Sequence, residues 1–198
     1  MNNQDLQGLP ESVVEAIERA ASASADARGV RAVDELRSAL GTLVELECPR
    51  HDFFLYHGYV IVTGLTLWLA EEEVVSETLR PLGLTSAPEF LARREVSEGW
   101  SVVVLHYGAC ETGQLVPAER VRGPFSEAAK ARLLEDMRAL SAHGMLHAFA
   151  HRDYDAWMVA SDSGMIVLGD WAQGLKPCSP SEATKARERT GKLLDRKS

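Results

Sequence analysis

The stretch HAFAHRDYDAWMVASDSGMIVLGDW, residues 147–171, gathers the residue types that phosphate chemistry uses. It carries His151, Arg152 and Asp153 in a row, Asp155 two residues on, and Asp170 seventeen residues after Asp153. Two apolar runs, WMVAS and MIVLGDW, flank Asp162-Ser163-Gly164 and read as a hairpin. Phosphoryl transfer asks a protein for one carboxylate near the attacking hydroxyl and another on a divalent cation. Beyond that it needs positioning and charge rather than covalent chemistry. A hairpin holds two such carboxylates on rigid elements, which is what positioning requires. Taken singly, each Asp is better explained as a turn cap or a strand end.

The elements that would carry this hairpin can be read along the chain. Residues 11–25 come after Pro10 and repeat Val13, Val14, Ile17, Ala20 and Ala21 at helical spacing; residues 30–40 give a second helix ending before Gly41. Strand text comes next at 42–47 and 52–64, the latter folded at His57-Gly58. Residues 66–83 predict a helix stopped by Pro81 and Gly83, and 89–96 with 100–108 predict a second hairpin around Ser97-Glu98-Gly99. Val102 to Leu105 are uniformly apolar, as in a central strand buried on both faces. After a loop-rich stretch at 109–125, residues 126–147 predict one long helix with Ser126 as N-cap. The tail, 179–198, is charged with a weak apolar stripe compatible with a terminal helix. Helices and strands segregate along the chain, which predicts an α+β fold.

That order, together with HRD and the later DW, resembles the protein-kinase-like superfamily over roughly residues 42–172. The resemblance implies a small two-lobed fold: an N-terminal helical extension at 1–41, a strand-rich N-lobe at 42–107, and a short, truncated C-lobe at 108–198. It implies that Asp153 orients or deprotonates the acceptor, with His151 and Arg152 completing the catalytic-loop triplet. Asp170 would hold magnesium bridging the phosphates of ATP, and Asp155 would stand in for the asparagine on a second metal. Trp171 matches the DW of small-molecule phosphotransferases of the superfamily.

The departures from the family pattern are as informative. No lysine precedes Lys130, so the strand YVIVTG lacks the cation that holds the α- and β-phosphates. Arg50, Arg80, Arg93 and Arg94 lie outside that strand, and arginine's wider fork is no simple replacement. Glu71, Glu72, Glu73 and Glu77 on the inserted helix then have no lysine to meet, and read as a solvated acidic face. No GxGxxG occurs, and the place of the metal-binding asparagine falls on Trp157 or Met158, neither a ligand for a hard cation. With 28 residues after Asp170, the peptide-binding helices of full-size kinases do not fit; compact bacterial effector kinases are the nearer comparison. Each lost charge contact removes about 2–4 kcal/mol of transition-state stabilisation.

Other chemistries are weaker. His143, His147 and His151 recur every four residues and would share a helix face with zinc-site spacing, but Gly144 intervenes and no HExxH is formed. Ser161 and Ser163 lack a nucleophile elbow, and Cys110 near His106 reads as an inert thiol. Three scattered cysteines give neither a disulfide framework nor a metal knuckle. A formal charge of −8 argues against a nucleic-acid partner, and no apolar run approaches the ~20 residues of a membrane helix. The N-terminus does not read as a signal peptide, so a cytoplasmic protein is expected. The composite expectation is a kinase-like protein of impaired or absent catalysis that acts on a protein partner, with ATP and magnesium bound weakly or not at all. An unconventional active phosphotransferase and a plain chaperone or immunity-type binding module are the alternatives.

Overall fold

A computed structural model describes residues 6, 8–23, 30–40, 44–47, 52–152, 154 and 156–196. Helices α1 (Glu11–Ser22) and α2 (Val30–Leu40) come first. Five strands come next: β1 (Val44–Glu47), β2 (Asp52–Tyr56), β3 (Tyr59–Leu65), β4 (Glu89–Ser97) and β5 (Trp100–His106), with α3 (Thr66–Leu79) inserted between β3 and β4. They form one antiparallel sheet in the order β1-β2-β3-β5-β4. β5 is a central strand, and Val102 to Leu105 are at most 4% exposed, as their uniform apolar text predicts.

Side-chain alternation divides the sheet into two apolar faces. Phe54, Ile61, Ala92, Val96, Val102 and Val104 face α1 and α2, which present Val13, Ala16, Ile17, Ala20, Val33, Leu36 and Leu40. Arg94 on β4 reaches Glu18 of α1 at 3.6 Å, and the Ser12 hydroxyl meets the Tyr56 phenol at 3.1 Å. The opposite face carries Phe53, Leu55, Val60, Val62, Val103 and Leu105, and packs on Leu69 of α3.

The second half begins at Tyr107. Strand β6 (Leu115–Pro117) precedes α4 (Glu127–Ala142), whose Ser126 Oγ accepts from the Ala129 N–H as the predicted N-cap. The expectation of one helix running to 147 is corrected. The helix ends at Ala142, Gly144 turns the chain at φ +68°, and Met145–His147 form β7. β7 pairs antiparallel with β10 (Leu175–Pro177), Leu175 opposite His147. The positive φ at Gly144 is why a helix cannot continue there. Strands β8 (Trp157–Ala160) and β9 (Ile166–Leu168) form the predicted hairpin, joined on its outer side by β6. A single turn, α5 (Trp171–Gly174), leads into β10, and α6 (Pro180–Arg196) closes the chain.

α6 owes its start to a capping box: Glu182 Oε2 accepts from the Ser179 N–H at 2.8 Å, and Ser179 Oγ accepts from the Glu182 N–H at 3.3 Å. Its Ala183, Ala186, Thr190, Leu193 and Leu194 are buried. Leu133, Met137 and Leu140 of α4, Trp157, Trp171 and the α6 leucines form the second core. No helix among the described residues is long and apolar enough to cross a membrane.

Candidate functional site

Within residues 147–171, Asp153 and Asp155 lie outside the described residues. His151 and Arg152 sit in the turn after β7. The Arg152 N–H donates to Phe149 O at 3.1 Å, and its guanidinium lies 5.5 Å from the Phe149 ring centre. His151 is partly buried, its Nδ1 has no hydrogen-bond partner among the described residues, and burial lowers its pKa. Asp170 stands between β9 and α5 in the left-handed region, at φ +55° and ψ 45°. A non-glycine residue there is uncommon, and short polar side chains tolerate it best.

On α3, Asp170 has an acid for a neighbour. Glu72 of α3 is 3% exposed. Burial first, then the Asp170 carboxylate and Glu71, push its carboxyl up to about 8. Glu72 is therefore protonated at neutral pH. Tyr107 adjoins the same pair: burial, Glu72 and Asp170 all raise its phenol well above the usual range. Its hydroxyl donates to Leu168 O, two residues before Asp170. Thus three acidic groups from α3, the segment after β5, and the β9–α5 junction converge.

The expectation of a solvated Glu71–Glu77 face is corrected at one position. Glu71 and Glu77 are exposed, and Glu73 meets Arg93 of β4 at 3.1 Å. Glu72 lies instead in the inward stripe Leu69, Glu72, Ser76 and Leu79. That stripe has helical spacing and is the signal the sequence offers, but its two polar members hide it. Tyr107 carries no comparable signal.

No strand cation reaches this acid pair. The β3 side chains on the α3 face are Val60 and Val62, 3% and 0% exposed. They pack in one cluster with Leu55 and Leu105 of the sheet, Tyr107, Leu115, and Met158 and Val167 of the hairpin. Every member of that cluster is 7% exposed or less.

Backbone and hairpin tip reinforce the closure. The Tyr107 N–H donates to Gly58 O at 2.9 Å and the Leu115 N–H to His57 O at 3.1 Å. Asp162, at the tip, accepts from the Thr112 and Gly113 N–H groups at 2.8 and 2.9 Å, which hold its carboxyl well below the usual range. Ser161 Oγ accepts from the Gln114 N–H at 2.8 Å, and Ser163 Oγ donates to Ala109 O at 2.6 Å. These serines fasten residues 109–114 and are not nucleophiles. Cys110 is buried, and burial with Asp162 pushes its thiol up to about 11, far from a reactive thiolate.

The histidine series does not form a metal face, because its members fall on different elements: His143 ends α4, His147 is in β7, and His151 comes after it. Among the described residues no three metal-ligating side chains cluster. His147 is a packing residue. Its Nε2 donates to Gly169 O at 3.0 Å, its Nδ1 accepts from the Ala150 N–H at 3.2 Å, and its ring meets Trp171 edge-on at 4.6 Å. A Cβ at Gly174 would come within 2.6 Å of His147 Nε2. Gly174→Ala should therefore cost about 1–3 kcal/mol by overpacking, read as a lowered urea midpoint; an unchanged midpoint would contradict the wedge.

Among the described residues Asp170, beside Glu72, is the carboxylate that a magnesium ion would take at this junction.

No protein-family model matches the sequence, and no curated protein matches it. Solved structures with similar folds include WbdD at 16% identity and TM-score 0.49, covering 76% of this chain and 37% of that one. A co-crystal of WbdD with a kinase inhibitor aligns at 17% identity and TM-score 0.41, covering 71% and 34%. Vaccinia related kinase 3 aligns at 12% identity and TM-score 0.43, covering 85% and 58%. The chain thus spans about a third to three fifths of the length of these proteins. The strand order β1-β2-β3-β5-β4, with α3 between β3 and β4 and a β-hairpin ending at Asp170, makes this a small protein-kinase-like α+β fold.

Proposed function

We propose that this chain is a kinase-like protein that does not transfer phosphate and works in the cytoplasm by binding a protein partner. The observation that carries this reading is Glu72. In a catalytic arrangement the inserted-helix glutamate is ionised and paired with the strand lysine that grips the triphosphate. Here the glutamate is buried, its carboxyl is raised to about 8, and Val60 and Val62 occupy the strand face opposite α3. With Val60 and Val62 there, that strand face offers no cation to hold anionic phosphates.

A thermal melt with Mg·ATP tests this. A ligand present at a hundred times its Kd stabilises by about 2.7 kcal/mol, several degrees in Tm for a domain of this size. The expected result is no shift at millimolar Mg·ATP and no release of labelled phosphate. A shift of several degrees, with phosphate transfer abolished by Asp170→Asn, would make the chain an active phosphotransferase instead.

A further inference from the structure

The partner-binding reading leaves open where the partner sits, and α3 answers it. Among the described residues the large apolar side chains most exposed to water are Leu65, Leu67, Trp68 and Val74, at 37%, 80%, 37% and 66%. All lie at the start of α3 or along its length. Leu67 and Val74 are seven residues apart with Ala70 between them, so they form one outward stripe opposite the buried Leu69, Glu72, Ser76 and Leu79. A helix face that carries leucine and valine outward at this spacing is what a second helix packs against.

The flanks of the stripe choose among occupants. Glu71 lies on one side and Glu73 and Glu77 on the other. Arg93 and Arg80 meet the latter two, at 3.1 and 2.6 Å, so the rim keeps a negative balance within a chain of net charge −8. A second copy would pair antiparallel, Leu67 against Val74, and set the two Glu71 side chains beside the twofold axis. Like charges there oppose it. An anionic lipid surface is repelled by the same charge.

We infer that the outward stripe of α3 docks an amphipathic helix of a partner protein whose apolar positions are flanked by lysine or arginine. The inference rests on the partner-binding reading and gives it a surface and a chemistry.

The test uses the full chain and a display library of helical peptides of about 18 residues with a fixed apolar stripe and randomised flanks. Selection should enrich lysine and arginine in the flanks, and the winning peptide, labelled with a fluorophore, should gain anisotropy on adding the full chain. Leu67→Gln/Val74→Gln, whose positions face water and leave the melt unchanged, should weaken it about tenfold or more. Glu71→Lys should weaken it too, and rising ionic strength through ~0.15 M should erode affinity for wild type. Enrichment of neutral or acidic flanks, or a winner indifferent to the double variant, would overturn the inference. So would a micromolar dimer by sedimentation, or binding to phosphatidylcholine vesicles, that the double variant abolishes; these would reassign the stripe to a second copy or to lipid. If the stripe fails while Mg·ATP still gives no shift, the docking surface alone is wrong. A positive Mg·ATP result would instead remove the reading beneath it.

Discussion

Glu72→Gln should stabilise the protein at neutral pH by about 3 kcal/mol, and the gain should vanish in acid. The folded carboxyl titrates at about 8 and the unfolded one at 4.5, because folding takes Glu72 out of water and sets it beside Asp170. A raised folded pKa means that the native state holds a proton the unfolded state has released. Stability from this group is complete below pH 4.5 and is lost as pH rises from 4.5 to 8. At pH 7 the deficit is about 2.5 pK units at 1.36 kcal/mol each. Glutamine keeps the shape of the neutral acid without the titration, so its advantage should be near zero at pH 4 and grow upward. Urea denaturation of both proteins from pH 4 to pH 8 measures this. Equal stabilities at pH 7, or a gain that ignores pH, would mean that Glu72 is ionised in the fold and paired. The non-catalytic reading would then lose its main support.

The second large effect has the opposite sign. His147 is fully buried, and burial lowers its pKa to about 4 against 6.5 when unfolded. Its depressed folded pKa means that stability is complete above pH 6.5. It is lost as pH falls toward 4, where the loss reaches about 3 kcal/mol. Protonation also turns Nδ1, which accepts from the Ala150 N–H, into a donor facing a donor. The His147 ring protons should therefore hold their neutral chemical shift down to about pH 5 in NMR titrations, while urea midpoints of Glu72→Gln, free of the opposing Glu72 titration, decline below pH 6.5. A midpoint near 6.5 for His147 would show that its ring reaches water. Together the two groups predict a nearly flat stability between pH 4.5 and pH 6.5, where their slopes cancel, with Glu72 setting the fall above that window and His147 the fall below it.

Much of the fold is legible because its strands and helices bury apolar residues at their own periods. Val102 to Leu105 read as a central strand, and the Ser126 cap, the hairpin at Asp162-Ser163-Gly164 and the α1 stripe all stand where local chemistry puts them. The end of α4 is hidden because Met145, Leu146 and His147 continue an apolar helical pattern. What stops the helix is the backbone at Gly144 and the distant partner strand at Leu175–Pro177, and a local window sees neither. Glu72 is hidden for a related reason. Four neighbouring glutamates look alike in sequence, and only the packing of α3 on the sheet and α5 separates the buried one from the exposed ones. The pairing of Arg93 with Glu73 is likewise invisible, since β4 and α3 meet only in the fold. The absence of a strand lysine is legible at once, and it is this absence that gives the buried acid its meaning.

The two leading helices alter what kind of unit this sheet is. Their side chains roof Phe54, Ile61, Ala92, Val96, Val102 and Val104, a plane that would otherwise meet solvent. Roof and plane are therefore one cooperative unit: a cut between residues 40 and 52 would leave the sheet with an apolar face in water and the helices with nothing to cover.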